Sequence, residues 1–216
     1  MEIKRNITTQ NFNNGSINRI KYIVVHYTAN NGDTALGNTN YFKNYRGSSA
    51  HYFVDENNIY QSVEDKNVAW HCGANSYKHL YCRNSNSLGV ELCSRKDSKG
   101  NYYFKDKTVD NAVELVKMLM AKYNVPITNV IRHYDVTGKN CPEPFVRNNK
   151  AWLDFKNRLV AKGEQIMKQN VKINGKVKSL DTINKDGYTY IKVRDLSDVF
   201  NIGYNKETKL ITLSVK

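Results

Sequence analysis

Cysteine is scarce in this chain, and long apolar runs are missing from it. Four cysteines, Cys72, Cys82, Cys93 and Cys141, stand in 216 residues, at intervals of 10, 11 and 48 positions and with no CxxC pair. That excludes a disulfide scaffold and zinc-finger spacing. The first three read as free thiols, with a Cys72–Cys82 bridge as the alternative. No run approaches eighteen apolar residues, so membrane insertion is not expected. The start, MEIKRNITTQNFNNGS, lacks the apolar core of a secretory signal. The expectation is a protein made in the cytoplasm without a signal peptide, or one exported by a route its N-terminus does not encode. Internal repeats and low-complexity tracts are missing too. So are a helix-turn-helix, the aromatic-glycine strand motif of RNA-binding sheets, and the H-x-E and P-C-x-x-C pair of zinc deaminases.

Acidic residues are the minority charge. Lysine and arginine number 33 against 20 acids, for a net charge of +13. Up to residue 162 the balance is 23 to 14, and beyond it 10 to 6, so the basicity is spread along the chain. Such a protein is drawn to polyanionic surroundings: nucleic acid, an anionic membrane surface or an acidic bacterial wall. With no nucleic-acid motif present, charge alone predicts no nucleic-acid partner, and no obligate protein partner is predicted. At 40% hydrophobic and 25% charged residues the chain is expected to fold.

What is present reads as alternating elements. IKYIVVHYT (20–28) is β-branched and aromatic, a strand ending at His26, Tyr27 and Thr28. A helix from Thr34 to Tyr45 follows, capped by Asp33 or Thr34. AHYFVDENNIYQSV reads as a hairpin and SLGVELC as a short buried strand. Apolar residues at 109, 112, 113, 116, 119, 120 and 123 predict a helix capped by Thr108 and ending before Pro126. TNVIRHYD is a strand with His133 at its exit, and a helix from Asn149 carries Trp152, Phe155 and Leu159 on one face. The order predicts an α/β fold, a central mixed β-sheet flanked by helices, with the chemistry in loops at strand ends. The boundaries read as a catalytic domain over 1–162, a linker over 163–170 and a small α+β C-terminal domain over 171–216. The last holds a hairpin turning at Asn174-Gly175, a strand running into a short helix in YTYIKVRDLSDVF, and a closing hairpin in YNKETKLITLSV.

RHYDVTGKNCPEPF (132–145) reads as too irregular for a helix, yet it sets His133, Lys139 and Cys141 close together. One reading is a polar loop; the other is a metal site. Zinc in a catalytic site takes three protein ligands and keeps a fourth position open. His133 and Cys141 supply two, and His26 is a third candidate because it too ends a strand. Each alone reads more simply as a packed or exposed residue.

IVVHYT, SAHYFVDENNIYQ, AWHCGAN, NSNSLGVELC and RHYDVTGKNCP follow the order and spacing of the type-2 amidase family. These are zinc-dependent N-acetylmuramoyl-L-alanine amidases that include phage endolysins and are similar in fold to peptidoglycan recognition proteins. The resemblance covers residues 18 to 160. It implies one zinc ion per chain on His26, His133 and Cys141, with Glu91 as general base and Lys139 stabilising the oxyanion. The substrate implied is bacterial peptidoglycan and its wall polymers. The bond implied joins the lactyl group of N-acetylmuramic acid to L-alanine of the stem peptide. A phage or prophage endolysin of a Gram-positive host fits, released to the wall with the help of a separate holin. A bacterial autolysin or spore-wall amidase, or a non-catalytic peptidoglycan binder, are the alternatives.

The same resemblance implies substrate contacts for Trp70 and His71, a stem-peptide contact for Asn86, and for Thr28 a role in orienting water or capping a turn. His51 reads as structural and His79 as an exposed loop residue. Where some relatives carry a catalytic tyrosine this chain has Ala50, and where a glycine usually follows Cys-Pro it has Glu143. Residues 171–216 resemble a small domain of Gram-positive surface proteins, also found at the N-terminus of some copper amine oxidases, which implies wall binding.

Overall fold

The computed structural model describes residues 2–160, 165–173, 176–185, 188–204 and 211–216. The chain divides into two compact units, Met1–Leu159 and Val160–Lys216. Six strands form the sheet of the first: β1 (Ile3–Arg5), β2 (Tyr22–Tyr27), β3 (Tyr52–Val54), β4 (Ile59–Gln61), β5 (Ser87–Leu92) and β6 (Val130–Arg132). They lie in the order β1-β4-β3-β5-β2-β6. Only the β3–β4 hairpin is antiparallel, so the sheet is mixed as expected. Asp55 closes the hairpin by accepting hydrogen bonds from the backbone N–H groups of Asn57 and Asn58.

Ile23, Val24 and Val25 of β2 are 0% exposed, so both faces of the central strands are covered, as parallel strands require. The covering elements are α1 (Ala35–Tyr41), α2 (Asp106–Tyr123), α3 (His133–Thr137), α4 (Glu143–Arg147) and α5 (Asn149–Leu159). Trp152 and Phe155 stack on one face of α5, ring centroids 5.5 Å apart, and both meet Phe145.

Local chemistry accounts for where the helices differ from their sequence reading. Thr34 caps α1, its Oγ1 accepting from Gly37 N at 3.1 Å. The helix stops at Tyr41 rather than Tyr45, and Asn11 Nδ2 donates to the carbonyl oxygens of Phe42 and Asn44 just beyond it. α2 starts two residues before Thr108, with Asp106 in its first turn, where an acid suits the helix dipole; Thr108 is buried inside it. Asn124 ends it in the left-handed conformation, φ 51°. The segment 132–145 is not free of helix: α3 and the start of α4 both fall within it.

In the second unit, Gln165–Ile173, Lys176–Lys185 and Tyr188–Ile191 form an antiparallel sheet, and Phe200–Tyr204 pairs with Ile211–Val215. The expected linker is therefore strand from residue 165 onward. The expected short helix is a single 3-10 turn, Val193–Leu196, which makes the unit β rather than α+β among its described residues. The hairpin turn at Asn174-Gly175 lies outside the described residues, although Ile173 and Lys176 pair on either side of it. Among the described residues no helix is long and apolar enough to cross a membrane.

Candidate metal centre

Strand register builds the site. β2 and β6 are parallel neighbours with Val25 opposite Arg132, so the next residues, His26 and His133, emerge side by side at the same end of the sheet. Their rings are 4.7 Å apart. The chain turns through α3, and Tyr134 N donates back to Cys141 O at 2.8 Å, which returns Cys141 beneath the histidines. Cys141 Sγ lies 3.7 Å from His26 Nδ1. One ligand atom from each of His26, His133 and Cys141 falls within 4.8 Å of the others, and all three residues are buried. Bond lengths to zinc imply tetrahedral N–S separations of about 3.6 Å, close to the His26–Cys141 distance.

On the other side of β2, Glu91 of β5 stands opposite His26 and puts Oε1 4.0 Å from its Nδ1. The side chain is 19% exposed, yet Oε2 is buried and has no hydrogen-bond partner. Burial raises the Glu91 carboxyl to about 8; nearby Lys139 pulls it down and Asp33 pushes it up. Burial holds His26 far below the ordinary histidine value, with His133, His71 and Lys139 adding to the effect. Burial also brings His133 down to about 4, so both imidazoles are neutral at pH 7 and offer lone pairs. The Cys141 thiol is raised to about 12 by burial and by Glu91. A divalent cation reverses that preference, because coordination deprotonates a thiol. Two neutral imidazoles and one thiol, with an unpartnered carboxyl oxygen at their edge, are a donor set that fits a metal ion.

These groups line a cavity of about 720 Å³ together with Thr28, Phe53, Trp70, His71 and Lys139. Trp70, His71, His133 and Lys139 also line an adjoining cavity that reaches Gly73, Asn84 and Thr137.

The family model described as N-acetylmuramoyl-L-alanine amidase matches residues 16–144. The chain belongs to that amidase family. Among relatives, it is 32% identical over 191 residues to the N-acetylmuramoyl-L-alanine amidase CwlL of Bacillus licheniformis, an alignment covering 82% of this chain and 51% of CwlL. The chain spans about half the length of the curated relatives it matches. Among solved structures, PlyL aligns with TM-score 0.63 at 30% identity, covering 74% of this chain and 98% of PlyL. A mutant endolysin from Bacillus subtilis aligns with TM-score 0.61 at 31% identity, covering 74% of this chain and 99% of that one.

Within the amidase unit the sequence-read residues divide. His26, His133, Cys141, Glu91 and Lys139 are brought together at one cavity, Lys139 exposed at its wall. Trp70 is half-buried and lines both cavities, its Nε1 donating to Asn13 Oδ1 at 2.6 Å. Thr28 lines the first cavity, but its hydroxyl accepts from Ser94 N at 3.3 Å, tying down the end of β2. Asn86 does not reach the site. Its side chain is spent on the loop, accepting from Arg83 N and donating to Tyr81 O. Its neighbour Asn84 does line the second cavity, as Asn75 does, and Asn84 Oδ1 accepts from the N–H groups of His71 and Cys72. His79 is half-buried rather than exposed, and its Nδ1 accepts from Tyr81 N and Cys82 N. His51 is fully buried, bonded to Gly89 N through Nδ1, with Nε2 against Asn67 O and the Arg19 guanidinium. Cys72, Cys82 and Cys93 are buried free thiols.

Proposed function

We propose that this chain is a zinc-dependent N-acetylmuramoyl-L-alanine amidase. It holds one zinc ion on His26, His133 and Cys141 and cleaves the amide between N-acetylmuramic acid and L-alanine of the stem peptide. The observation that carries the reading is the convergence of those three buried donors beside the unpartnered Oε2 of Glu91, at a cavity large enough for a peptide. Two imidazoles and a thiolate suit zinc and leave a fourth position open. When bound, zinc supplies Lewis acidity to the amide carbonyl and brings the pKa of water to about 7.

The remaining work falls to the chain. Glu91 takes the proton of the attacking water and passes it to the leaving nitrogen of L-alanine, a double duty that a carboxyl of raised pKa performs well. Lys139 at the cavity wall sets a positive charge toward the developing oxyanion. Trp70 offers a flat apolar wall that orients the muropeptide. Mass analysis of digested wall material tests the reaction. Stem peptides with a free L-alanine N-terminus are expected, and new reducing sugar ends in their place would reject the amidase reading.

The setting we propose is a phage or prophage endolysin acting on the wall of a Gram-positive host, supported by the likeness to a Bacillus endolysin. For the second unit we propose wall binding, supported by its excess of basic residues and its likeness in sequence to surface-protein domains. Deleting residues 165–216 is then expected to weaken sedimentation with isolated walls while sparing hydrolysis of small muropeptides. Equal sedimentation of both forms would remove this role.

A further inference from the structure

His71 is tied to the centre through a ligand as well as through the cavity. Ser87, Gly89 and Glu91 stand opposite Tyr22, Val24 and His26, so all six share one face of the sheet. The ring of His71 lies over Gly89 on that face. A Cβ on Gly89 would come within 2.6 Å of the ring Cγ and 2.9 Å of Nδ1, so the absence of a side chain there admits the imidazole. Its two nitrogens are both engaged: Nδ1 lies 3.0 Å from His26 Nε2, and Nε2 lies 3.1 Å from Ser87 Oγ.

Counting hydrogens settles the direction of each bond. Ser87 has one hydroxyl hydrogen, and its Oγ is 2.6 Å from the carbonyl oxygen of Arg83, which can only accept. Oγ therefore presents a lone pair to His71, and Nε2 of His71 must carry the hydrogen. In a neutral imidazole the other nitrogen is then bare, so Nδ1 accepts from His26 Nε2–H. That leaves His26 Nδ1 without a hydrogen, and Nδ1 is the atom 3.7 Å from Cys141 Sγ and 4.0 Å from Glu91. The opposite arrangement would face two lone pairs at 3.1 Å between His71 and Ser87 and place a hydrogen on the atom meant for the metal.

We infer that Ser87 and His71 are positioning residues that fix the tautomer and orientation of His26, so that its Nδ1 lone pair points into the metal centre. The inference rests on the proposal that His26 is a ligand. It gives the glycine at position 89 and the buried serine at position 87 a function that neither strand formation nor substrate contact supplies.

Two measurements on the full chain test it. Long-range ¹H–¹⁵N spectra of the metal-free, ¹⁵N-labelled protein are expected to show the Nε2–H tautomer for both His26 and His71; an Nδ1–H pattern for His26 would overturn the relay. Zinc affinity, read by competition with a chromophoric chelator, is expected to fall about 10- to 100-fold in His71→Phe, as for other lost outer partners of metal-bound histidines. In His71→Asn, whose amide oxygen can stand where Nδ1 stood, most of it is expected to return. The visible spectrum of the cobalt-loaded protein is expected to change in the first variant and to recover in the second. Wild-type affinity and spectrum in His71→Phe would overturn the inference while leaving the metal site intact. Failure of the unaltered protein to bind zinc would instead sink the metal site, and the tautomer spectra would still decide the relay. Should His71→Phe not fold, His71→Asn and the spectra of the unaltered protein carry the test.

Discussion

Replacing Cys141 by serine is expected to yield a folded protein that carries no zinc and leaves a suspension of purified walls turbid. The thiol is buried 3.7 Å from His26 Nδ1, and it is the only sulfur among the three gathered donors. Serine keeps the size of the side chain but offers a hydroxyl that stays protonated, so one of three bonds and the negative charge are lost together. Lewis-acid assistance is worth several kcal/mol, and each 1.36 kcal/mol is a factor of ten in rate. A fall of about three powers of ten or more in wall clearance is therefore expected. His26→Ala should behave alike, since Nδ1 of that ring is the atom that faces both Cys141 and Glu91 and is proposed as the ligand. Elemental analysis alongside turbidity decides the matter. A Cys141→Ser protein with a full complement of zinc and normal clearing would end the ligand assignment. Zinc added to the metal-free unaltered protein is expected to raise its thermal midpoint, because an ion bound only by the folded state stabilises it; in the serine variant that shift is expected to vanish.

The parts of this centre differ in how far the sequence exposes them. β2 is legible because a β-branched and aromatic run has no helical period, and the β3–β4 hairpin because DENN marks its turn. α3 and α4 are five residues each, too short for a 3.6-residue pattern to register, so RHYDVTGKNCPEPF reads as loop although it holds helix. Nothing in spacing alone joins His26 to Cys141, 115 positions away; the order of five motifs supplied that pairing, and its physical cause is the parallel register of β2 and β6 together with the return of the chain through α3. Asn86 and Asn84 are indistinguishable by type in NSNS, and only the path of the loop decides which one turns to the cavity. The bond from His71 to His26 and the space left for the ring by Gly89 are also silent in sequence. They depend on packing across the sheet between residues 45 and 18 positions apart.

Glu91→Gln is expected to keep its zinc and lose most of its turnover, which separates holding the ion from moving the proton. The glutamate is not one of the three converging donors, so metal content should stay at the wild-type level. The amide has nearly the shape of the acid but cannot shuttle a proton, and general acid–base assistance is worth about 10²- to 10⁴-fold. Near-normal turnover would overturn the assignment. Stability supplies a second and opposite readout. In the metal-free protein burial raises the Glu91 carboxyl from 4.5 to about 8. Because the folded-state value lies above the unfolded one, the stabilising contribution of the protonated acid is complete below pH 4.5. It then shrinks as the unfolded chain ionises, and is gone once the pH has risen through about 8. Glutamine has no proton to lose. The metal-free variant is therefore expected to gain on the unaltered protein progressively between pH 4.5 and 8, by on the order of a few kcal/mol at the upper end. Urea titrations at several pH values measure that gap. A gap that does not widen with pH would mean that Glu91 is solvated in the folded state, and with it would go the reason for expecting a carboxyl poised to both accept and return a proton.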